Sequence, residues 1–337
     1  MKRFILCLSL AGFFAMMAFK KSNNAAYPVP EGWPQPVYDF RKNPLDKDKI
    51  AIGKRLFYDP VLSRDSTISC ASCHLSYTAF AHTDHDLSHG IEGRIGTRNV
   101  PALMNLAWSK SFMWDGAVNH LDVQALAPMS SPQEMDESIG HVIAKLQSTA
   151  PYPSLFYKAF GDSVIRTGYV LRSISQFMLT LVSANAKYDR VKRGTETFTG
   201  PEARGYVLFR KNCASCHTEP LFTNGGFENN GLAVDETLGD AGRIKITHDS
   251  SDSLKFKVPS LRNVELSYPY MHDGRFKTLN QVLNHYIMGI QQSPTLNPAL
   301  RKGIYLTGSD KADIIAFLLT LTDREFIRDT AFAFSRQ

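Results

Sequence analysis

The pentapeptide Cys-Ala-Ser-Cys-His occurs twice, at Cys70–His74 and at Cys213–His217. Two thiols at this spacing reach the two vinyl groups of one haem and form thioethers, and the histidine that follows lies under the iron and ligates it. A zinc site would gather both cysteine pairs into one cluster, but Cys73 and Cys213 are far apart in the chain. A redox dithiol of the thioredoxin kind expects a βαβ pattern, and none is visible. Of the five cysteines, Cys7 stands near the N-terminus and the other four all belong to the two motifs. The cysteines therefore imply two covalently bound c-type haems, with His74 and His217 as iron ligands.

The repeat extends beyond the pentapeptide. Gly53-Lys54-Arg55-Leu56-Phe57 precedes the first copy and Gly205-Tyr206-Val207-Leu208-Phe209 the second. Downstream, Val100-Pro101-Ala102-Leu103 matches Val258-Pro259-Ser260-Leu261, and Met113-Trp114-Asp115-Gly116 matches Met271-His272-Asp273-Gly274. Trp114 thus occupies the repeat position of His272. Internal similarity of this kind predicts two domains from one ancestor.

The copies differ where a second iron ligand would come from. The second half offers His285, Tyr286 and Met288; in the first half the position equivalent to Tyr286 is Pro128, which cannot ligate. Pro128 and Pro132 around Met129 suggest a loop rather than a ligand helix. One closed haem suits electron transfer, and one open haem can bind a small molecule.

Lys2, Arg3, Lys20 and Lys21 account for four of the six net positive charges, so the rest of the chain is nearly neutral and gives no case for nucleic acid. The charge-free apolar run Phe4–Phe19 behind Met1-Lys2-Arg3 reads as a signal peptide over residues 1–21, with an N-terminal membrane anchor as the lesser alternative. Export places the protein in the periplasm.

These motifs, with Arg98-Asn99-Val100-Pro101 and Phe256-Lys257-Val258-Pro259-Ser260-Leu261-Arg262-Asn263-Val264, resemble the bacterial di-haem cytochrome c peroxidase family, including its MauG-type members. The resemblance implies a mostly α fold of two cytochrome c-like domains, each carrying one haem, with the haems bridged at the domain interface. It assigns peroxide chemistry to the N-terminal haem and electron entry to the C-terminal one. It gives Trp114 the role of mediator between the haems, Glu134 that of the distal carboxylate, and His89 that of a mobile cap over the peroxide haem. It places a calcium ion on Asn99 and the backbone carbonyls of Ser267 and Pro269. The usual second-haem ligand of the peroxidases is methionine; here that position is Tyr286, as in MauG-type members, with Met288 as the alternative. The implied partners are hydrogen peroxide, a small electron donor (a cytochrome c or a cupredoxin), and a second copy in a homodimer.

The leading expectation is therefore a periplasmic peroxidase reducing hydrogen peroxide to water. A MauG-type oxidation of a protein residue or small molecule is the alternative. A di-haem electron carrier without turnover is the reading from another class, and Pro128 argues against it.

The elements that must hold these groups are helical. Residues 22–36 read as a linker or wrapping arm, 37–190 as the first domain and 191–337 as the second, with a crossover at Val191–Pro201. Helices are expected over Asp46–Tyr58, Arg166–Lys187 and Lys311–Leu321, the last capped by Ser309-Asp310, with further helical stretches starting near Leu121 and Leu279. Leu232–Ser253 reads as an exposed polar loop. His82 and His85 are expected at the surface, either being the alternative to His89 as the cap, and His120, His141 and His248 are expected to be surface or structural.

Overall fold

The computed structural model describes residues 27–334; the signal segment and residues 22–26 of the expected arm lie outside them. The described chain is mostly helical, with one two-stranded antiparallel pair, Phe227–Glu228 against Phe256–Lys257.

Each half is built on a crossed helix pair. In the first half Lys47–Tyr58 crosses Thr167–Thr180; in the second, Gly200–Asn212 crosses Gly308–Leu319. The starts are set by side chains that take up free amide groups. Asp46 accepts from the amides of Asp48 and Lys49, and Thr199 with Glu202 forms a capping box. The two crossings are close because a glycine lies at each. A Cβ on Gly53 would stand 1.8 Å from the Ser173 carbonyl oxygen, and one on Gly205 would stand 1.9 Å from that of Asp313. One turn on, Phe57 packs on Phe177 at 5.2 Å between ring centroids, and Phe209 on Phe317 at 5.0 Å. The glycine-phenylalanine spacing noted in the sequence is thus the contact code of both helix pairs.

Four expected elements differ, three of them within or beside helices. The helix expected to run to Lys187 stops at Thr180, because Asn105 clamps the following chain: its amide donates to Ser183 O at 3.1 Å and its carbonyl accepts from Ser183 N at 2.9 Å. The last helix begins at Gly308, earlier than expected, because Thr307 and Asp310 form the capping box. Pro128 and Met129 lie in a short helix, Leu126–Ser130, rather than in a loop, and Met129 is buried in the core.

Two hydrophobic cores result. One gathers residues from Trp33 to Leu181, and the other gathers Tyr188 to Leu321. The C-terminal residues return to the first core: Phe326 is buried there, Phe332 packs against it, and the Tyr58 hydroxyl donates to Phe332 O at 2.6 Å. The N-terminal arm wraps as well. Tyr27 stacks on Phe40 and bonds Leu179 O, and Trp33 sits 4.5 Å under the guanidinium of Arg262. Arg262 is wholly buried and makes a two-pronged pair with buried Asp189. Leu232–Ser253 is no free loop: its Asp240 is buried and paired with Arg98 of the first half at 2.6 Å.

Candidate active site

Cys70–Cys73 forms one helical turn, which sets the two thiols on one side and ends at His74. His74 Nδ1 lies 2.8 Å from Phe80 O, which fixes the ring and leaves Nε2 for a ligand. Burial pulls His74 down to about 4, so the ring is neutral at physiological pH. The second copy repeats this arrangement: His217 Nδ1 is 3.1 Å from Phe222 O and 3.2 Å from Pro259 O, and burial again favours the neutral ring. All four thiols are free, and burial pushes Cys70 and Cys213 up to about 12. Unpaired protonated thiols beside a neutral, oriented imidazole fit covalent attachment and ligation of one c-type haem at each copy.

Different side chains face the two copies. Glu134 faces the first: its charge raises the thiols of Cys73 and Cys70. Burial raises the Glu134 carboxyl, and a hydrogen bond from Ser88 only partly offsets this. Its backbone is held by Ile91, whose amide donates to Glu134 O at 2.8 Å. Gly90 permits that approach, since a Cβ there would lie 2.4 Å from the same oxygen. Tyr286 faces the second copy. Burial raises its phenol, as do the nearby Cys213 and Cys216 thiols, and Asn230 Nδ2 lies 3.4 Å from its hydroxyl. Tyr286 sits in a π-helical turn, His285–Gly289, a distortion that re-aims side chains at functional sites. His285 is occupied, with Nε2 3.1 Å from Asn230 O, and Met288 is 80% exposed. Surface exposure takes Met288 out of the buried surroundings that Tyr286 shares with the second cysteine pair.

Trp114 lies at the junction of the halves. Its Nε1 donates to Asn99 O at 2.8 Å, and its carbonyl accepts from Lys257 N at 2.7 Å. Its repeat counterpart His272 stacks on Phe256 at 3.6 Å and accepts from Asn99 N at 2.6 Å. Asn99 donates its amide to Asp86 O at 2.7 Å, which leaves its Oδ1 without a hydrogen bond among the described residues.

The His89 ring stacks on His85 at 3.9 Å, and His85 Nδ1 lies 2.9 Å from His82 Nε2. His89 meets the first motif through its backbone, with Cys73 Sγ 3.5 Å from its carbonyl oxygen. His82 is buried, not at the surface as expected, because the chain leaving Phe80 runs inward before it reaches the exposed His85. His120, His141 and His248 are exposed as expected. The loop is fastened at its far end by Arg64 and Arg94, each paired with both Glu92 and Asp136.

Polar residues to which the motifs assign no role complete the junction. Asn105 and Asn263, both left-handed, occupy equivalent positions and play the same part: Asn105 holds Ser183, and Asn263 accepts from Asp323 N at 2.8 Å. Carrying the repeat through these positions would have found them. The Arg98–Asp240 pair had no such signal.

The chain is similar to known proteins over most of its length. The family model for di-haem cytochrome c peroxidase matches residues 47–197, and that for cytochrome c matches residues 202–322. The methylamine utilization protein MauG of Methylorubrum extorquens is 37% identical over 309 residues, spanning 88% of this chain and 83% of its own. Cytochrome c551 peroxidase of Nitrosomonas europaea is 33% identical over 324 residues, spanning 94% of this chain and 90% of its own. A solved MauG-like protein associated with microbial copper homeostasis superposes with a TM-score of 0.82 at 31% identity, over 92% of this chain and 99% of that one.

Proposed function

This chain belongs to the di-haem cytochrome c peroxidase family, and we propose that it reduces hydrogen peroxide to water at the Cys70–His74 site with electrons entering at the Cys213–His217 site. The haems supply the redox chemistry, two electrons per peroxide cleaved. The observation that carries the reading is the unequal furnishing of two otherwise repeated sites: a carboxyl, Glu134, faces one cysteine pair, and a phenol, Tyr286, faces the other.

The residues divide the remaining work. Glu134 takes the proton from one peroxide oxygen and delivers it to the other, general acid–base catalysis worth about 10²–10⁴-fold. Ser88 and Gly90 hold it in position. Tyr286 would hold the second haem as phenolate, which would favour ferric iron and lower its potential. Trp114 bridges the halves and mediates electron transfer between them. His89, whose ring stacks on His85, would be the mobile cap of the first site. Asn99 Oδ1 and the carbonyls of Ser267 and Pro269 would hold a calcium ion, oxygen ligands suited to that ion.

In this reading the protein works in the periplasm with a small cytochrome c or cupredoxin as donor, and forms a homodimer. Among the described residues no helix is long and apolar enough to cross a membrane. The test is stopped-flow mixing of peroxide with the holoprotein and a reduced c-type cytochrome. Oxidation of two cytochromes per peroxide is expected. A second reading, peroxide-driven oxidation of another protein's residue, draws on Tyr286. Peroxide consumption without cytochrome oxidation would favour it.

A further inference from the structure

We propose that Lys257 binds a propionate of the haem attached at Cys213 and Cys216, placing one positive charge between the two halves of the molecule. The inference rests on the haem attachment and not on the choice between the two reactions above.

Lys257 is held rigidly. Its amide donates to Trp114 O at 2.7 Å, and the next amide, of Val258, donates to Gly226 O at 2.9 Å. Two residues on, the Pro259 carbonyl lies 3.2 Å from Nδ1 of His217. A short fixed segment therefore links this lysine to the histidine of the second motif and to the tryptophan of the first half. The side chain reaches across the junction, with Nζ 5.8 Å from the centroid of the Phe112 ring.

Its ammonium is alone. Among the described residues it makes no hydrogen bond and has no carboxylate within 4.0 Å. Neighbouring lysines are paired: Lys255 lies 3.5 Å from Asp252 and Lys245 lies 3.3 Å from Asp240. Lys257 is half-buried, and that burial pushes it down to about 8, so it remains mostly charged at neutral pH. A charge in such surroundings calls for an anion, and a haem bound at the second motif brings carboxylates. The repeat sharpens the assignment. The counterpart of Lys257 is Asn99, a neutral residue whose amide is already spent on Asp86 O. Only one side of the junction carries the charge. A cation on a haem carboxylate raises that iron's reduction potential, which opposes the downward pull of a tyrosinate ligand.

The test is a spectroelectrochemical titration of both haems in the holoprotein, at several pH values, for wild type, K257M and K257R. K257M is expected to lower the potential of the C-terminal haem. It should also move that potential's pH dependence toward neutrality, since a propionate without its partner protonates more readily. K257R should keep the wild-type values. Unchanged potentials in K257M, or a shift confined to the N-terminal haem, would overturn the proposal. If K257M fails to load haem, K257Q carries the same expectations.

Discussion

The amide of Lys257 donates to the carbonyl of Trp114 across the junction between the halves. The mirror bond, Asn99 to His272, joins the same two repeat positions in the opposite sense. The duplication therefore survives as a pseudo-two-fold interface. Its two sides differ in residue type: tryptophan against histidine, lysine against asparagine.

Trp114→Phe removes the indole and its 2.8 Å bond to Asn99 O but keeps the backbone bond to Lys257. Stability should fall by only about 1 kcal/mol, the worth of one hydrogen bond. Electron transfer between the haems after mixing with peroxide should slow at least tenfold. An unaltered rate would remove Trp114 from the path.

Glu134→Gln should lower peroxide turnover by about 10²–10⁴-fold. Burial raises the Glu134 carboxyl, so the wild-type rate should fall as pH drops through this raised value and the base is protonated. The variant should lack that acidic limb. A limb retained in the variant assigns it to another group.

Gly53→Ala and Gly205→Ala each drive a methyl into a carbonyl oxygen of the crossing helix. Each should cost about 1–3 kcal/mol, the usual penalty for overpacking, read by denaturant titration of the holoprotein. An unchanged midpoint would show that the helices separate freely.

Arg262→Met strands buried Asp189 and should cost about 3–5 kcal/mol. Adding Asp189→Leu should recover much of the loss, because the uncompensated charge then disappears. A double variant no better than the single would place the loss in packing against Trp33 instead.

The parts legible in the sequence are those that repeat or carry fixed chemistry. The cysteine-histidine turns, the glycine-phenylalanine helix pairs and the Trp114–His272 equivalence could be read because each is a local pattern met twice. The polar junction could not: Asp240 finds Arg98, and Asp189 finds Arg262, across long stretches of chain with no periodicity to announce them. The end of the helix at Thr180 is illegible for the same reason, since Asn105, distant in sequence, holds the chain just beyond it. Tyr286 is one of three neighbouring candidates in the same turn, and only the fold separates it, by leaving Met288 exposed, tying His285 to Asn230 O and setting Tyr286 beside the second cysteine pair.

The central claim is one open site and one closed by Tyr286. It is tested most directly by low-temperature EPR of the diferric protein and of Tyr286→Phe. The account predicts one high-spin and one low-spin signal in the wild type, with the low-spin signal becoming high-spin in the variant. Two low-spin signals in the wild type, or a low-spin signal that survives the substitution, would contradict it.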